Sequence, residues 1–147
     1  MQPGQLIDHP EGGRYREVFR SSVRVDTQRG ARDALTHIYF SLQPGEASRL
    51  HRVAADEVWN RYRGVVELLL WDEATATASV IELSEQSGHY CHVVPAGVWQ
   101  AARARDEEAL VGCSVGPGFS FDDFELVTAG SALATQVSAA GGAWAVE

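Results

Sequence analysis

Short apolar runs separated by turn residues are the feature that most constrains the fold of this chain. Gly and Pro, with 14 and 5 copies among 147 residues, interrupt the windows that are long enough to hold an amphipathic helix. Between them lie runs rich in Val, Ile, Leu and aromatic residues, at positions 35–42, 57–63, 65–71, 77–83, 90–94 and 109–115. Short runs of this kind are typical of strands in a β-sandwich or barrel. The pattern therefore predicts an all-β domain with little helix.

Composition and charge narrow the classes of partner. The chain carries 20 Asp and Glu against 12 Lys and Arg, which gives a formal net charge of −8. Nucleic-acid backbones and anionic membrane surfaces are usually bound by a basic patch, and the sequence has no such cluster. Residues 1–8 lack the features of an export signal, and the longest apolar run, at 65–71, is broken by Glu67. We expect a cytoplasmic protein that binds a small molecule, with neither nucleic acid nor membrane as a partner.

The composition changes at residue 128. From there to the C-terminus the chain is rich in Ala, Gly and Ser, which bury little area for each residue that is ordered. The sequence therefore predicts a single domain over residues 1–127 and an Ala- and Gly-rich tail over 128–147. That tail is either disordered or laid over a neighbouring surface by Leu133 and Trp144.

Two stretches carry the residues that are best suited to catalysis or metal binding. In a strand, alternate side chains share a face, so His51 and Glu57 can point to the same side across a tight connection at 54–56. An imidazole and a carboxylate brought together inside a barrel are suited to binding a metal or to moving a proton. In the second stretch, residues 93–100, a turn at Pro95-Ala96-Gly97 is expected to bring Gln100 inward.

The same two stretches resemble the motifs of the cupin superfamily. Residues 45–64 follow the pattern Gly-x5-His-x-(His)-x3-Glu-x6-Gly, with its positions held by Gly45, His51, Glu57 and Gly64. Val53 stands at the second His position of that motif. Residues 95–100 follow the second motif, Pro-x-Gly-x2-(His), with Gln100 where the His would stand.

Beyond the superfamily, the chain closely resembles the small single-domain cupin-5 family over about residues 5–127. The resemblance rests on segments 9–15, 36–40, 51–53 with 56–59, 94–102 and 111–126. It implies a double-stranded β-helix, the cupin jelly roll, which is usually paired into a homodimer and has a pocket in the barrel mouth. It implies no particular reaction, because cupins include enzymes, binding modules and sensors.

The resemblance also supplies a candidate metal site. A cupin metal site usually has three His and one Glu, and the matching positions here are His51, Glu57 and Gln100. This set would bind a divalent ion more weakly than the complete one, because an amide is neutral and a poor donor. We therefore expect no certain cofactor and keep a divalent metal ion as a candidate.

Five side chains are candidates for contact with a substrate: Tyr39, Trp59, Asn60, Gln100 and Phe119. Trp59 lies two residues after Glu57 and should share its face, and Tyr39 could supply a phenol beside a turn. Phe119 is a candidate for the pocket wall. Asn60 stands where the family often carries a His, so the polarity of the pocket differs at that point.

We consider three functions. The preferred one is proton transfer on a sugar-like or carbonyl compound by an isomerase, epimerase or lyase, with His51 or Glu57 as the general base. Gln100 and Tyr39 would then hold the substrate oxygen where charge develops. The alternative is a non-catalytic cupin that binds or senses a small molecule with the same residues. A metal-dependent oxygenase ranks third, because the ligand set is short of imidazoles.

Overall fold

The computed structural model describes residues 5–147, and antiparallel strands make up most of it. The strands are β1 (Ile7–Asp8), β2 (Arg14–Arg20), β3 (Arg24–Thr27), β4 (Gly30–Asp33), β5 (Thr36–Leu42), β6 (Ala47–Val53), β7 (Asp56–Arg63), β8 (Val66–Asp72), β9 (Thr77–Leu83), β10 (Cys91–Val94), β11 (Trp99–Ala104), β12 (Ala109–Gly116) and β13 (Phe124–Leu126). A six-residue α-helix, α1 (Ala132–Val137), follows them. The predicted all-β class with little helix is confirmed.

Two large sheets face each other. One has the strand order β1-β2-β5-β12-β7-β10 and the other β13-β6-β11-β8-β9, while β3 and β4 form a separate hairpin. Side chains from the inner faces of both large sheets form the main core, as expected for a jelly roll. The core residues include Phe40, Leu42, Trp59 and Val111 from the first sheet and Val66, Leu68, Leu83 and Ala102 from the second.

The C-terminal segment packs on the outer face of the second sheet. Ala134 and Val137 of α1 are buried against a cluster that includes Leu69, Trp71 and Trp99. Leu133 and Trp144 of this segment are partly buried against the same cluster, which corresponds to the predicted alternative of a tail laid over a neighbouring surface. The cover also explains why residues 68–71 are all apolar, since β8 is buried on both faces. Among residues 5–147, no helix is long and apolar enough to cross a lipid bilayer.

A glycine pair brings the loop at residues 9–13 against β6. Gly12 and Gly13 have φ of +111° and +72°, a region that other residues rarely adopt. A Cβ on Gly12 would overlap the carbonyl oxygen of Ala47, the first residue of β6. The loop can therefore lie directly on this strand, and the side chain of Glu11 is buried there.

A β-bulge in β6 changes which of its side chains point inward. His51 lies opposite Gln100 in β11, whereas Ser48 lies opposite Ala102, so β6 has one more residue than β11 between these pairs. Simple alternation would place residues 48 and 51 on opposite faces of the strand. With the bulge, both side chains reach the buried network inside the barrel.

Replacing Gly12 with Ala should destabilise the protein by about 3 kcal/mol or more, because a positive φ and a steric overlap act together. Gly45→Ala is the matched control. Gly45 also has a positive φ, of +86°, but no atom lies within 4 Å of the position of a Cβ there. It should cost about 1 kcal/mol from backbone strain alone. Urea unfolding of both variants measures the difference, and equal losses would contradict the close approach of the loop to β6.

Candidate functional site

A cavity of about 580 Å³ opens at one end of the barrel. Its volume is within the range of about 300–1,000 Å³ that is usual for small-molecule sites. Polar groups at its buried end include His9, Glu11, Glu57 and Cys113. Aromatic side chains form much of its wall, namely Tyr15, Phe40, Trp59, Phe119 and Phe121. The β3–β4 hairpin contributes Arg24, Ala31, Arg32 and Asp33 to the lining.

A chain of hydrogen bonds fixes the Glu57 carboxyl in this cavity. The indole N–H of Trp59 donates to Oε1 of Gln100 over 2.7 Å, and Nε2 of Gln100 donates to Oε1 of Glu57 over 2.9 Å. Because an indole nitrogen can only donate, the orientation of the Gln100 amide is settled. The amide therefore always presents an N–H to Glu57.

The surroundings of Glu57 tune its proton affinity. Burial raises the pKa of Glu57 to about 7, and the nearby Glu11 acts in the same direction. His51 and hydrogen bonds from Gln100 and Cys113 oppose that shift, because they favour the ionised carboxylate. Glu57 can therefore both bind and release a proton close to neutral pH.

His51 is buried behind the cavity wall. Its Nδ1 lies 2.7 Å from the carbonyl oxygen of Arg49, which can only accept, so Nδ1 carries the hydrogen. Burial lowers the pKa of His51 and keeps the ring neutral. Its Nε2 then presents a lone pair, 3.6 Å from Oε1 of Glu11.

Glu11 is a site residue that the sequence analysis did not identify. The hydroxyl of Ser48 donates to its Oε2, and its Oε1 lies 3.2 Å from Nδ1 of His9. Burial raises the pKa of Glu11 to about 8, although Ser48 and the charge of Arg49 favour the ionised form. The Gly12-Gly13 pair directly after Glu11 was the available signal, because it permits the close approach that buries this carboxyl.

The predicted site residues fall into three groups. Glu57, Trp59 and Phe119 line the cavity, and His51 and Gln100 lie opposite each other in β6 and β11, buried beside it. Tyr39 and Asn60 lie on the outer face of the six-stranded sheet. The Tyr39 ring packs edge-on against Tyr62 with centroids 5.9 Å apart, and the Asn60 amide donates to the carbonyl of Gly112 over 3.1 Å. Their neighbours Phe40 and Trp59 point inward, so strand alternation turns both side chains away from the cavity.

The candidate metal ligands do not form a suitable donor set. The Gln100 amide oxygen points to the indole N–H of Trp59, and its nitrogen rather than its oxygen faces Glu57, so the predicted ligands Gln100 and Glu57 do not turn their oxygens toward one ion. Across residues 5–147, no group of three or more His, Cys, Asp or Glu side chains is arranged to hold a metal ion. The residues present do not fit a divalent metal, and we derive no chemical step through one.

The buried carboxyls predict a pH dependence of stability. A carboxyl whose pKa is higher in the folded than in the unfolded state stabilises the fold at low pH and loses that contribution as pH rises through the folded value. For Glu11 this loss of stability extends from about pH 4.5 to about pH 8. Between pH 6.5 and 8.5 the free energy of unfolding should fall by up to about 1.4 kcal/mol per pH unit for each proton released.

Glu11→Gln should remove most of this decline, as measured by urea unfolding at pH 6.5 and 8.5. His9 and His51 do not mask it, because their lowered pKa values confine their contribution to lower pH. Glu125→Gln, which alters an exposed pair with Arg52, is the control and should keep the wild-type slope. An unchanged slope in Glu11→Gln would show that Glu11 does not titrate in this range.

Comparison with known proteins identifies the family. The family described as cupin superfamily, DUF985, the cupin-5 family, matches residues 1–127. A hypothetical protein from Leishmania major is 31% identical, with a TM-score of 0.79, and the match covers 96% of this chain and 91% of that chain. A protein from Shewanella oneidensis is also 31% identical, with a TM-score of 0.80 and coverage of 97% and 91%.

More distant similarity extends to oxalate decarboxylase from Bacillus subtilis, with a TM-score of 0.62 and 19% identity. This match covers 84% of this chain and 30% of that chain, and it shows the fold alone. The comparison with functionally curated proteins gave no match. Because the family match includes most of the sequence, the chain belongs to the cupin-5 family of the cupin superfamily.

Proposed function

We propose that the protein is an enzyme that transfers a proton on a small polar molecule, a sugar-like or carbonyl compound, as an isomerase, epimerase or lyase. The observation that carries this proposal is the Glu57 carboxyl. It is buried, it lines a cavity of about 580 Å³, and it is held by a Gln100 amide whose own orientation is fixed.

The protonation equilibrium of Glu57 supports the role of general base. A general base works best when its pKa is near the working pH, since it must both take up and release the proton. Burial raises the pKa of Glu57 to about 7, which meets this condition in neutral solution. The N–H from Gln100 steadies the carboxylate that accepts the proton and limits its rotation.

The walls of the cavity indicate how a ligand would be oriented. Phe119 and Phe121 offer apolar ring surfaces against which the less polar face of a sugar or carbonyl compound can pack, while Trp59 is almost fully buried in the wall. Polar groups lie at both ends, with Glu57 among the buried ones and Arg24 on the hairpin among the exposed ones. A molecule with one reacting carbon near Glu57 and further hydroxyl or anionic groups toward solvent matches this distribution.

His51 takes a supporting role in this proposal. It is enclosed by protein and does not line the cavity, so a direct encounter with substrate is less suited to it than to Glu57. Burial keeps its ring neutral, and a protonated ring would lower the pKa of Glu57, so the two residues are electrostatically coupled. The fold shared with oxalate decarboxylase, whose name denotes removal of a carboxyl group, is compatible with lyase chemistry but does not distinguish it from isomerisation.

The test begins with a metabolite screen by thermal shift, because a ligand that binds the folded state stabilises it by about 2.7 kcal/mol at 100 times its Kd. Each hit is then incubated with the protein and its products are sought by NMR. We expect conversion of at least one hit. The rate should fall by about 100-fold or more in Glu57→Gln, which keeps the size of the side chain and removes the base.

Glu125→Gln serves as the control, since Glu125 is exposed and does not line this cavity. Turnover at the wild-type rate in Glu57→Gln would remove Glu57 from the chemistry. Stabilising ligands that are never converted would instead support the non-catalytic binding or sensing module.

A further inference from the structure

The hydrogen positions around Glu11 follow from its neighbours. The backbone N–H of Glu11 donates to Nδ1 of His9 over 3.2 Å, so this nitrogen carries a lone pair. The bond from His51 Nδ1 to the Arg49 carbonyl leaves Nε2 of His51 without a hydrogen as well. Oε1 of Glu11 thus lies 3.2 Å from Nδ1 of His9, whose lone pair accepts the backbone N–H, and 3.6 Å from Nε2 of His51, which carries no hydrogen.

An ionised Oε1 of Glu11 would face two ring nitrogens, and neither of them offers it a hydrogen. Burial lowers the pKa of His9 to about 4 and also lowers that of His51, so neither ring supplies the missing proton at neutral pH. A proton on Oε1 of Glu11 removes this repulsion, and it can point toward Nε2 of His51, 3.6 Å away. Ser48, which donates to Oε2, is compatible with this neutral acid.

Glu57 has the opposite environment. Its hydrogen-bond partners are the Gln100 N–H and the Cys113 thiol, and both offer a hydrogen to the carboxyl. Donors stabilise a carboxylate, whereas bare nitrogens stabilise a carboxylic acid. Two carboxyls that line one cavity are therefore given different protonation states by their neighbours, which is the pattern of an acid and base pair.

We propose that Glu11 is a second catalytic group, the acid that works with Glu57 as the base, and that the site isomerises an α-hydroxy carbonyl compound. This inference rests on the proposed function and narrows it from three reaction types to one. It assigns a chemical role to the loop at residues 9–13, which the motif stretches at 45–64 and 95–100 do not include.

The reaction balances with these two groups alone. Glu57 takes the proton from the carbon that bears the hydroxyl, and the electron pair of that C–H bond becomes the C=C bond of an enediol. Glu11 gives its proton to the neighbouring carbonyl oxygen at the same time. In the second half, Glu57 returns its proton to the former carbonyl carbon while the other hydroxyl, which becomes the new carbonyl, gives its proton to Glu11.

This cycle returns both carboxyls to their starting states without an oxidant, a reductant or a leaving group. Elimination of a leaving group would instead leave Glu57 protonated, to be reset by solvent. The environments of Glu11 and Glu57 suit the isomerisation. Each carboxyl is buried, and its neighbours favour the protonation state in which it begins the cycle.

Glu11→Gln isolates the transferable proton from the structural contacts. An amide nitrogen at this position can direct a hydrogen toward Nε2 of His51 as the acid would, and the amide oxygen can accept from Ser48, so the hydrogen bond from Ser48 is retained. The variant should therefore fold with a thermal stability equal to or above that of the wild type at pH 8.5. It lacks only an acid that can give up a hydrogen.

The experiment compares wild type, Glu11→Gln, Glu57→Gln and the control Glu125→Gln in D₂O. The probes are glyceraldehyde, D-xylose, D-glucose and D-glucuronate, together with every hit of the thermal-shift screen, and ¹H NMR follows deuterium uptake and isomer formation. We expect Glu57→Gln to lose both activities. Glu11→Gln should lower kcat by about 100-fold with KM within about threefold, and should lose the decline of kcat at alkaline pH.

The outcomes separate the two proposals. A wild-type kcat and pH profile in Glu11→Gln would overturn the role of Glu11 and leave Glu57 as the base. Conversion confined to hits that lack a hydroxyl next to a carbonyl would overturn the substrate class alone. If the wild type converts none of the compounds, the proposed function fails and this inference fails with it.

Discussion

The hydrogen bond from the Gln100 amide to the Glu57 carboxyl is the contact on which the rest of the site depends. A buried carboxyl without a partner costs several kcal/mol, so its presence requires a donor that cannot turn away. Trp59 supplies that constraint, because its indole N–H occupies the amide oxygen of Gln100 and leaves the nitrogen for Glu57. Trp59 is also a large member of the core between the sheets. The packing of the barrel and the electrostatics of the site are therefore set by the same side chain.

Two departures from regular strand geometry complete the arrangement. The bulge in β6 brings Ser48 to the same side as His51, and the Gly12-Gly13 pair lets a loop lie on that strand. Together they place a second carboxyl, that of Glu11, in contact with groups from β6. Bulges often occur beside active sites because they redirect one side chain without breaking the sheet. Here the redirected hydroxyl donates to an acid from a different part of the chain.

The fold was predictable because its signals are local. Turn residues between short apolar runs indicated the strands, and two motif stretches indicated the superfamily, which the family match confirms. Strand alternation placed Trp59 on the same face as Glu57. The same rule would have turned Tyr39 and Asn60 outward, because each is next in the chain to an inward-pointing residue, Phe40 or Trp59. The homodimer and the cytoplasmic location stay predictions.

Glu11 and Ser48 could not be assigned to the site from the pattern. Their positions depend on positive φ angles and on an extra residue in one strand. Neither feature can be recognised from the alternation of apolar and polar residues in the sequence. A glycine pair is compatible with a close approach of two backbone segments, but it does not show which side chain that approach buries. This part of the site arises from the tertiary structure, where a loop and a bulged strand meet.

The protonation of the acids divides the molecule into two regions. Away from the buried end of the cavity, Asp123 pairs with Arg32, and the hydrogen bond holds the pKa of Asp123 below its usual range. At the buried end of the cavity, Glu11 and Glu57 have no arginine hydrogen-bonded to them, and burial raises the pKa of both. Apolar residues of similar size would avoid that desolvation, so these acids reduce stability at neutral pH. This loss of stability is confined to one cavity, and the neighbours of the two acids favour the protonated form of Glu11 and the ionised form of Glu57. A site for proton transfer requires such a pair.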